Sequence, residues 1–206
     1  MNVSYAHHHA GSWEIMNRSI RNVMNVVLTN HSKQLNDDCL LTFMAEAEAV
    51  INSRPITVDN LHDPMSPMPL SPIQLLTMKT NVVLPPPGIF ERPDIFSRKL
   101  WRRVQYVSNE FWHRWKREYV SILQSRNRWC RSEINLRVGD VVLLKDDMIP
   151  RNLWKLAVVS ATCPSSDSLI RKARIRVSVG LNKPNKEYDR PISELIFLMS
   201  PNGVGN

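Results

Sequence analysis

The sequence predicts an α+β protein in which helices come first and a small antiparallel β-barrel comes last. Three observations carry this. Apolar residues recur at helical spacing before residue 55 and again between about 97 and 131. After Val138-Gly139-Asp140 the pattern shortens to strand-length runs separated by turn residues. Between the two helical regions lies a stretch that holds most of the chain's 14 prolines and shows no sustained period.

Met16, Ile20, Val23, Met24 and Val27 keep one face of a first helix apolar, with Gly11-Ser12 before them as its expected cap. A second helix is expected from about Asp37, whose acidic pair suits a helix N-terminus, through Leu40, Met44, Ala47 and Ile51. It should stop before Pro55, because the residue preceding proline is pushed out of the helical region. Residues 56–97, including Pro85-Pro86-Pro87-Gly88, read as an extended connector. Over 98–137, Trp101, Val104, Phe111, Trp115, Tyr119 and Ile122 fall near heptad spacing with basic residues between them, which predicts one long basic helix. Strands are expected at Val141 to Lys145, Trp154 to Thr162, Leu169 to Ser178, and Tyr188 to Leu198, the last interrupted by Pro191. In such a barrel Val141, Leu143, Val158, Ile175 and Val177 would alternate inward. The expected division is therefore 1–55, 56–97, 98–137, 138–198, and a disordered tail at 199–206.

With 43% hydrophobic residues, the 206-residue chain has enough apolar surface to bury a core. Its net charge of +8 is concentrated in one place. From Arg92 to Arg137 there are twelve basic residues against four acidic, while the rest of the chain is balanced at fifteen of each. Ten of the twelve are arginines, whose planar forks suit phosphate. Cys39, Cys130 and Cys163 are odd in number and widely spaced, so neither a disulfide framework nor a zinc ribbon is expected. No apolar run approaches the roughly 20 residues of a membrane span, and no signal-peptide core is visible. An intracellular, nuclear location without membrane attachment is the expectation.

Several segments resemble one family in the family's own order. Ala10-Gly-Ser-Trp-Glu-Ile-Met-Asn-Arg-Ser-Ile-Arg21 is similar to the helix that ends the integrase catalytic core of Bel/Pao-type LTR retrotransposons. The likeness continues through Ile51-Asn-Ser-Arg-Pro-Ile-Thr57 and Pro69-Leu-Ser-Pro72. It extends to Trp101-Arg-Arg-Val-Gln-Tyr106, Phe111-Trp-His-Arg-Trp-Lys-Arg-Glu-Tyr119 and Val138-Gly-Asp-Val-Val-Leu-Leu-Lys-Asp146. The resemblance implies the closing helices of an RNase H-like core, a basic linker helix and an SH3-like terminal barrel that binds DNA.

It also implies a role for Glu14. Such integrases hold two divalent cations, magnesium or manganese, between two aspartates and one glutamate that begins a helix. Two hard cations clamp the attacking and leaving oxygens of a phosphodiester, and several carboxylates must converge to hold them. Residues 1–13 contain no Asp or Glu, so Glu14 reads as a vestigial catalytic and metal ligand, effective only with carboxylates from elsewhere. No cofactor is expected for this chain alone, and it is expected to be inactive in strand transfer. The plain alternative is a helical glutamate that favours the macrodipole.

Arg18 and Arg21 follow Glu14 on the same helical face, and the resemblance places basic residues at this spacing against the viral DNA end; a solvated ion-pair face is the alternative. His7, His8 and His9 sit in an expected loop, where neighbouring side chains diverge too much for a metal cluster. Trp101, Trp112 and Trp115 suit a buried helix face better than base stacking. Arg102, Arg103, Arg114, Lys116 and Arg117, interleaved with them, are the expected phosphate contacts. In the terminal domain Lys172, Arg174 and Arg176 alternate with Ala173, Ile175 and Val177, giving either a DNA-binding face or a charge-protected edge strand. Lys145, Arg151 and Lys155 extend that basic group along the first strand and the loop after it. The function expected is low-specificity DNA binding, in a homo-oligomer or an integrase-like assembly. The alternative is a protein-interaction or oligomerisation module with no nucleic-acid role, which salt dependence would separate from the first.

Overall fold

The computed structural model describes residues 7–58, 69–79, 84–130, 136–146, 148–164, 170–177 and 186–200. Most of the expected tail, residues 201–206, lies outside them. The chain is α+β and divides into two compact units, Met1–Ile51 with Pro85–Ser121, and Asn52–Leu84 with Ile122–Asn206.

The first unit is helical. Helix α1 spans His7–His31, helix α2 Asp37–Asn52, and helix α4, which runs on beyond the unit, Leu100–Cys130; a short helix α3, Pro72–Thr77, belongs to the other unit. Helix α2 starts where Asn36 Oδ1 accepts the Cys39 backbone N–H at 3.0 Å, satisfying one of the orphan donors at the helix start. Its buried residues, Cys39, Phe43, Ala47 and Val50, recur every three or four positions and form one stripe. Val104, Val107, Phe111 and Trp115 form the matching stripe of α4, and Val23 and Val27 that of α1. Phe43 and Phe111 meet edge to face at 6.0 Å between ring centroids, a favoured aromatic geometry. A 3-10 turn at Arg92–Phe96 precedes α4 and buries Ile95.

Helix α1 begins earlier than its sequence implies. Gly11 and Ser12 lie inside it rather than capping it, and the backbone of His7, His8 and His9 forms its first turn rather than a loop. A glycine in a helix interior costs only about 1 kcal/mol relative to alanine, too little to end a helix of 25 residues.

Among the described residues the second unit holds two sheets. Strands β1, Thr57–Val58, and β2, Pro69–Leu70, form a short antiparallel ladder. Helix α3 follows, with Pro72 in its first turn and a capping box between Ser71 and Gln74. The stretch whose prolines suggest an extended connector thus contains short ordered elements. Strands β3, Val141–Leu144, β4, Leu156–Pro164, β5, Ile170–Val177, β6, Lys186–Pro191, and β7, Leu195–Met199, build a five-stranded antiparallel sheet in the order β6-β5-β4-β3-β7. Four strands meander and the fifth returns beside the first. Among the described residues the edge strands β6 and β7 are not hydrogen-bonded to each other, so the sheet is not closed by pairing. The segment expected from Tyr188 to Leu198 with an interruption at Pro191 is two strands, separated by a 3-10 turn at Ile192–Glu194 just after that proline.

Gly139 and Asp140 fix where β3 begins. Gly139 has φ of 93°, a backbone region that favours glycine. The fully buried Asp140 accepts the Arg137 N–H at 2.8 Å and the Ser200 hydroxyl at 2.7 Å, tying the entry of β3 to the end of β7. The core on one face comprises Val142, Leu144, Ala157, Val159, Ala173, Ile175, Val177, Leu195 and Leu136. Ile175 and Val177 point inward as expected, but β3 and β4 contribute the opposite phase from Val141, Leu143 and Val158. Every residue of β3 is buried, so Val141 and Leu143 are covered on the other face, where Leu143 is in register with Leu156 and Ile196. A strand buried on both sides carries no alternation from which its phase can be read.

Candidate nucleic-acid interface

On α1, Glu14, Arg18 and Arg21 are exposed, as their spacing implies. Glu14 lies about two turns inside the helix, so it neither begins it nor meets the positive end of its dipole. Among the described residues no group of three His, Cys, Asp or Glu side chains could hold a metal ion. Glu14 therefore does not fit a two-cation site within these residues, and no metal-dependent step is assigned to it.

The segment leading into α4 gathers basic groups. Arg92, Arg98 and Lys99 are exposed. Arg102 grips Asp94 with two bonds, Nε to Oδ1 at 2.6 Å and Nη2 to Oδ2 at 3.1 Å. Its guanidinium lies 5.4 Å from the Phe90 ring centroid and 5.6 Å from that of Trp101. The bond from Arg102, helped by the Glu91 backbone N–H, holds the Asp94 carboxyl below the usual aspartate range. Arg103 donates to the Ser97 and Gln34 carbonyls, which hold the side chain without cancelling its charge. Further along, Arg114 is paired with Glu110 at 3.1 Å, Arg117 is exposed, and Lys116 is buried at 7% exposure. Lys116 thus departs from the expected surface contact: it is buried with Trp112, one turn before it, and Trp115, its neighbour in sequence. Trp101 is the tryptophan of the three that solvent reaches, at 49%.

On the sheet the expected basic face is largely neutralised. Arg174 pairs with Asp189 at 2.9 Å and Arg176 with Glu187 at 3.3 Å, because the β5–β6 register sets each arginine directly opposite that acid. Arg174 holds the Asp189 carboxyl below its ordinary range. Lys172 is exposed opposite Pro191. Lys155 is paired with Asp146 at 2.7 Å, Lys145 donates to the Ser193 carbonyl at 3.0 Å, and Arg151 is buried at 2% exposure, away from any surface contact.

Residues 99–198 match the model of a family of unknown function, DUF5641. The match takes in 100 of the 206 residues, covering α4 and the five-stranded sheet. No curated protein and no solved structure matches the chain.

The helical unit also contains a cleft of about 700 Å³ that sequence patterns do not reveal. Asn30, His31, Phe90, Arg92, Tyr106 and Asn109 line it, with Glu110 in its wall. His31 Nε2 and Glu110 Oε2 lie 2.7 Å apart, and the His31 and Tyr106 rings meet edge to face at 5.7 Å. Burial pushes the Glu110 carboxyl up, but His31 and Arg114 outweigh it and leave the group below its ordinary range. His31 and Glu110 are 79 positions apart, so only the packing of α1 on α4 brings them together.

Proposed function

We propose that this chain is a nucleic-acid-binding part of a Bel/Pao-type retrotransposon integrase that holds DNA through its phosphates with little sequence preference. The observation that carries the reading is the segment Arg92 to Arg103. Of its five basic side chains only Arg102 meets a carboxylate among the described residues. Such a group attracts a polyanion and releases its condensed counterions. The ordered series of integrase-like motifs supports the origin, and the family match covers the same basic helix and terminal sheet. The proposed setting is the nucleus. Catalysis is not proposed for the chain by itself; an intact integrase would need magnesium or manganese and further carboxylates.

The test is a salt titration of duplex DNA binding by the purified chain. Each phosphate neutralised should add about −0.9 to the slope of log affinity against log salt, so four unpaired cations predict a slope of roughly −3 to −4. A flat salt response would sink the proposal. It would favour the second reading, a protein-interaction or oligomerisation module, to which the exposed Leu41 and Met44 of α2, at 70% and 46%, lend support.

A further inference from the structure

The cleft beside the basic segment has the wall of a nucleotide site. We infer that it receives one unpaired base of a single-stranded nucleic acid, an assignment that rests on the nucleic-acid reading above. Its volume of about 700 Å³ is ample for a nucleotide and falls within the usual range of ligand sites, roughly 300–1,000 Å³. Its walls pair two aromatic rings, Phe90 and Tyr106, with the exposed side-chain amide of Asn30. Aromatic rings stack on any base, and an amide presents the donor and acceptor that an unpaired base edge seeks. The exposed Arg92 on the same wall supplies the cation for the adjoining phosphate. Glu110 does not repel that phosphate unopposed, because His31 and Arg114 both bond its carboxylate.

Trp101 continues the site outside the cleft. Its ring meets Phe90 edge to face at 5.7 Å while 49% of the residue stays exposed, leaving a surface for the next base. Phe96, 70% exposed, closes the 3-10 turn five residues earlier in the chain. In duplex DNA each base is stacked on both faces and paired at its edge, so a cleft of this kind offers the duplex nothing beyond charge. The site therefore discriminates in favour of unpaired strands.

The experiment compares fluorescence anisotropy of a 12-nucleotide oligothymidylate and a duplex with the same number of phosphates, using the full chain and the variants Asn30→Ala, Trp101→Ala and Trp101→Phe. Asn30 and Trp101 are both exposed, so the substitutions leave the core intact. The expected result is a loss of roughly tenfold for the single strand in each alanine variant, recovery in Trp101→Phe, and no change for the duplex. Single-strand binding unaffected by either alanine substitution, with salt-dependent duplex binding intact, overturns the cleft assignment and leaves the electrostatic reading standing. Absence of salt-dependent binding to either form overturns both. Displacement of the strand by free thymidine monophosphate at comparable concentration overturns the strand assignment by showing that the cleft serves small nucleotides.

Discussion

Between Arg92 and Arg103 the chain carries five basic side chains and meets one with a carboxylate, whereas the strand from Lys172 to Arg176 carries three and meets two. Both stretches look equally cationic along the sequence. They differ in what the fold sets beside them. The start of α4 has local acids only at Glu91 and Asp94, and Asp94 is spent on Arg102. Strand β5 lies against β6, whose sequence Lys-Glu-Tyr-Asp-Arg-Pro places an acid opposite each arginine on one face. Cross-strand register thus converts an apparent DNA-binding face into a charge-matched one, a device that also keeps the exposed edge strand from pairing with other chains.

The sharpest way to break this contrast is to remove each group in turn. Arg92→Gln, Arg98→Gln and Lys99→Gln together should flatten the salt slope for duplex DNA by about 2.7, which between 50 and 200 mM salt changes the fall in affinity by roughly 40-fold. Replacing Lys172, Arg174 and Arg176 by glutamine should flatten it by only about 1, the share of Lys172. Equal effects from the two triple variants would show that the ion pairs on the sheet open in the complex and that both stretches bind.

A smaller effect of opposite sign should follow from uncovering the strand. Glu187→Gln with Asp189→Asn leaves Arg174 and Arg176 without their acids. The slope should steepen by roughly 2 and low-salt affinity should rise about tenfold. Unchanged binding would mean that the sheet face does not approach DNA even when charged, which would confine the interface to the helical unit.

Local patterns in the sequence reveal the elements better than they reveal the site. The spacing of Val104, Phe111 and Trp115 marks α4 because the helix buries one stripe, whereas the face expected for α2, Leu40, Met44, Ala47 and Ile51, is out of phase: α2 buries Cys39, Phe43, Ala47 and Val50 and leaves Leu40 and Met44 exposed. The turn at Val138-Gly139-Asp140 marks the change to strands because Gly139 adopts a positive φ. The phase of β3 is not legible, since all four of its residues are apolar and buried. The start of α1 is also hidden, because Gly11 resembles a cap and is not one. For the site, exposure of Arg18 and Arg21 follows from helical spacing, but the burial of Lys116 and Arg151 and the exposed positions of Arg98 and Lys99 before α4, acid-free among the described residues, do not. Pairings such as Arg174 with Asp189 and His31 with Glu110 join residues 15 and 79 positions apart, and no local pattern encodes them.

Glu110 offers the finest test, because it is where the helical unit does what β5 and β6 do on the sheet. Its carboxylate is 21% exposed and bonds His31 from α1 and Arg114 one turn later in α4. Burial alone would raise its pKa, yet the bonds from His31 and Arg114 lower it below the ordinary 4.5. A carboxyl whose folded pKa is depressed contributes stability that is fully present above the unfolded value and is lost as pH falls through the folded one. With partial solvent screening the contribution is about 1 kcal/mol at most. Glu110→Gln, which keeps the shape and removes the charge, should therefore melt a few degrees below the parent chain at pH 7. The gap should close as pH drops from about 4.5 downward, because the parent loses its ion pair while the variant has none to lose. A gap that persists unchanged at pH 3 would mean that the contact between His31 and Glu110 stabilises the helices through packing and neutral hydrogen bonding.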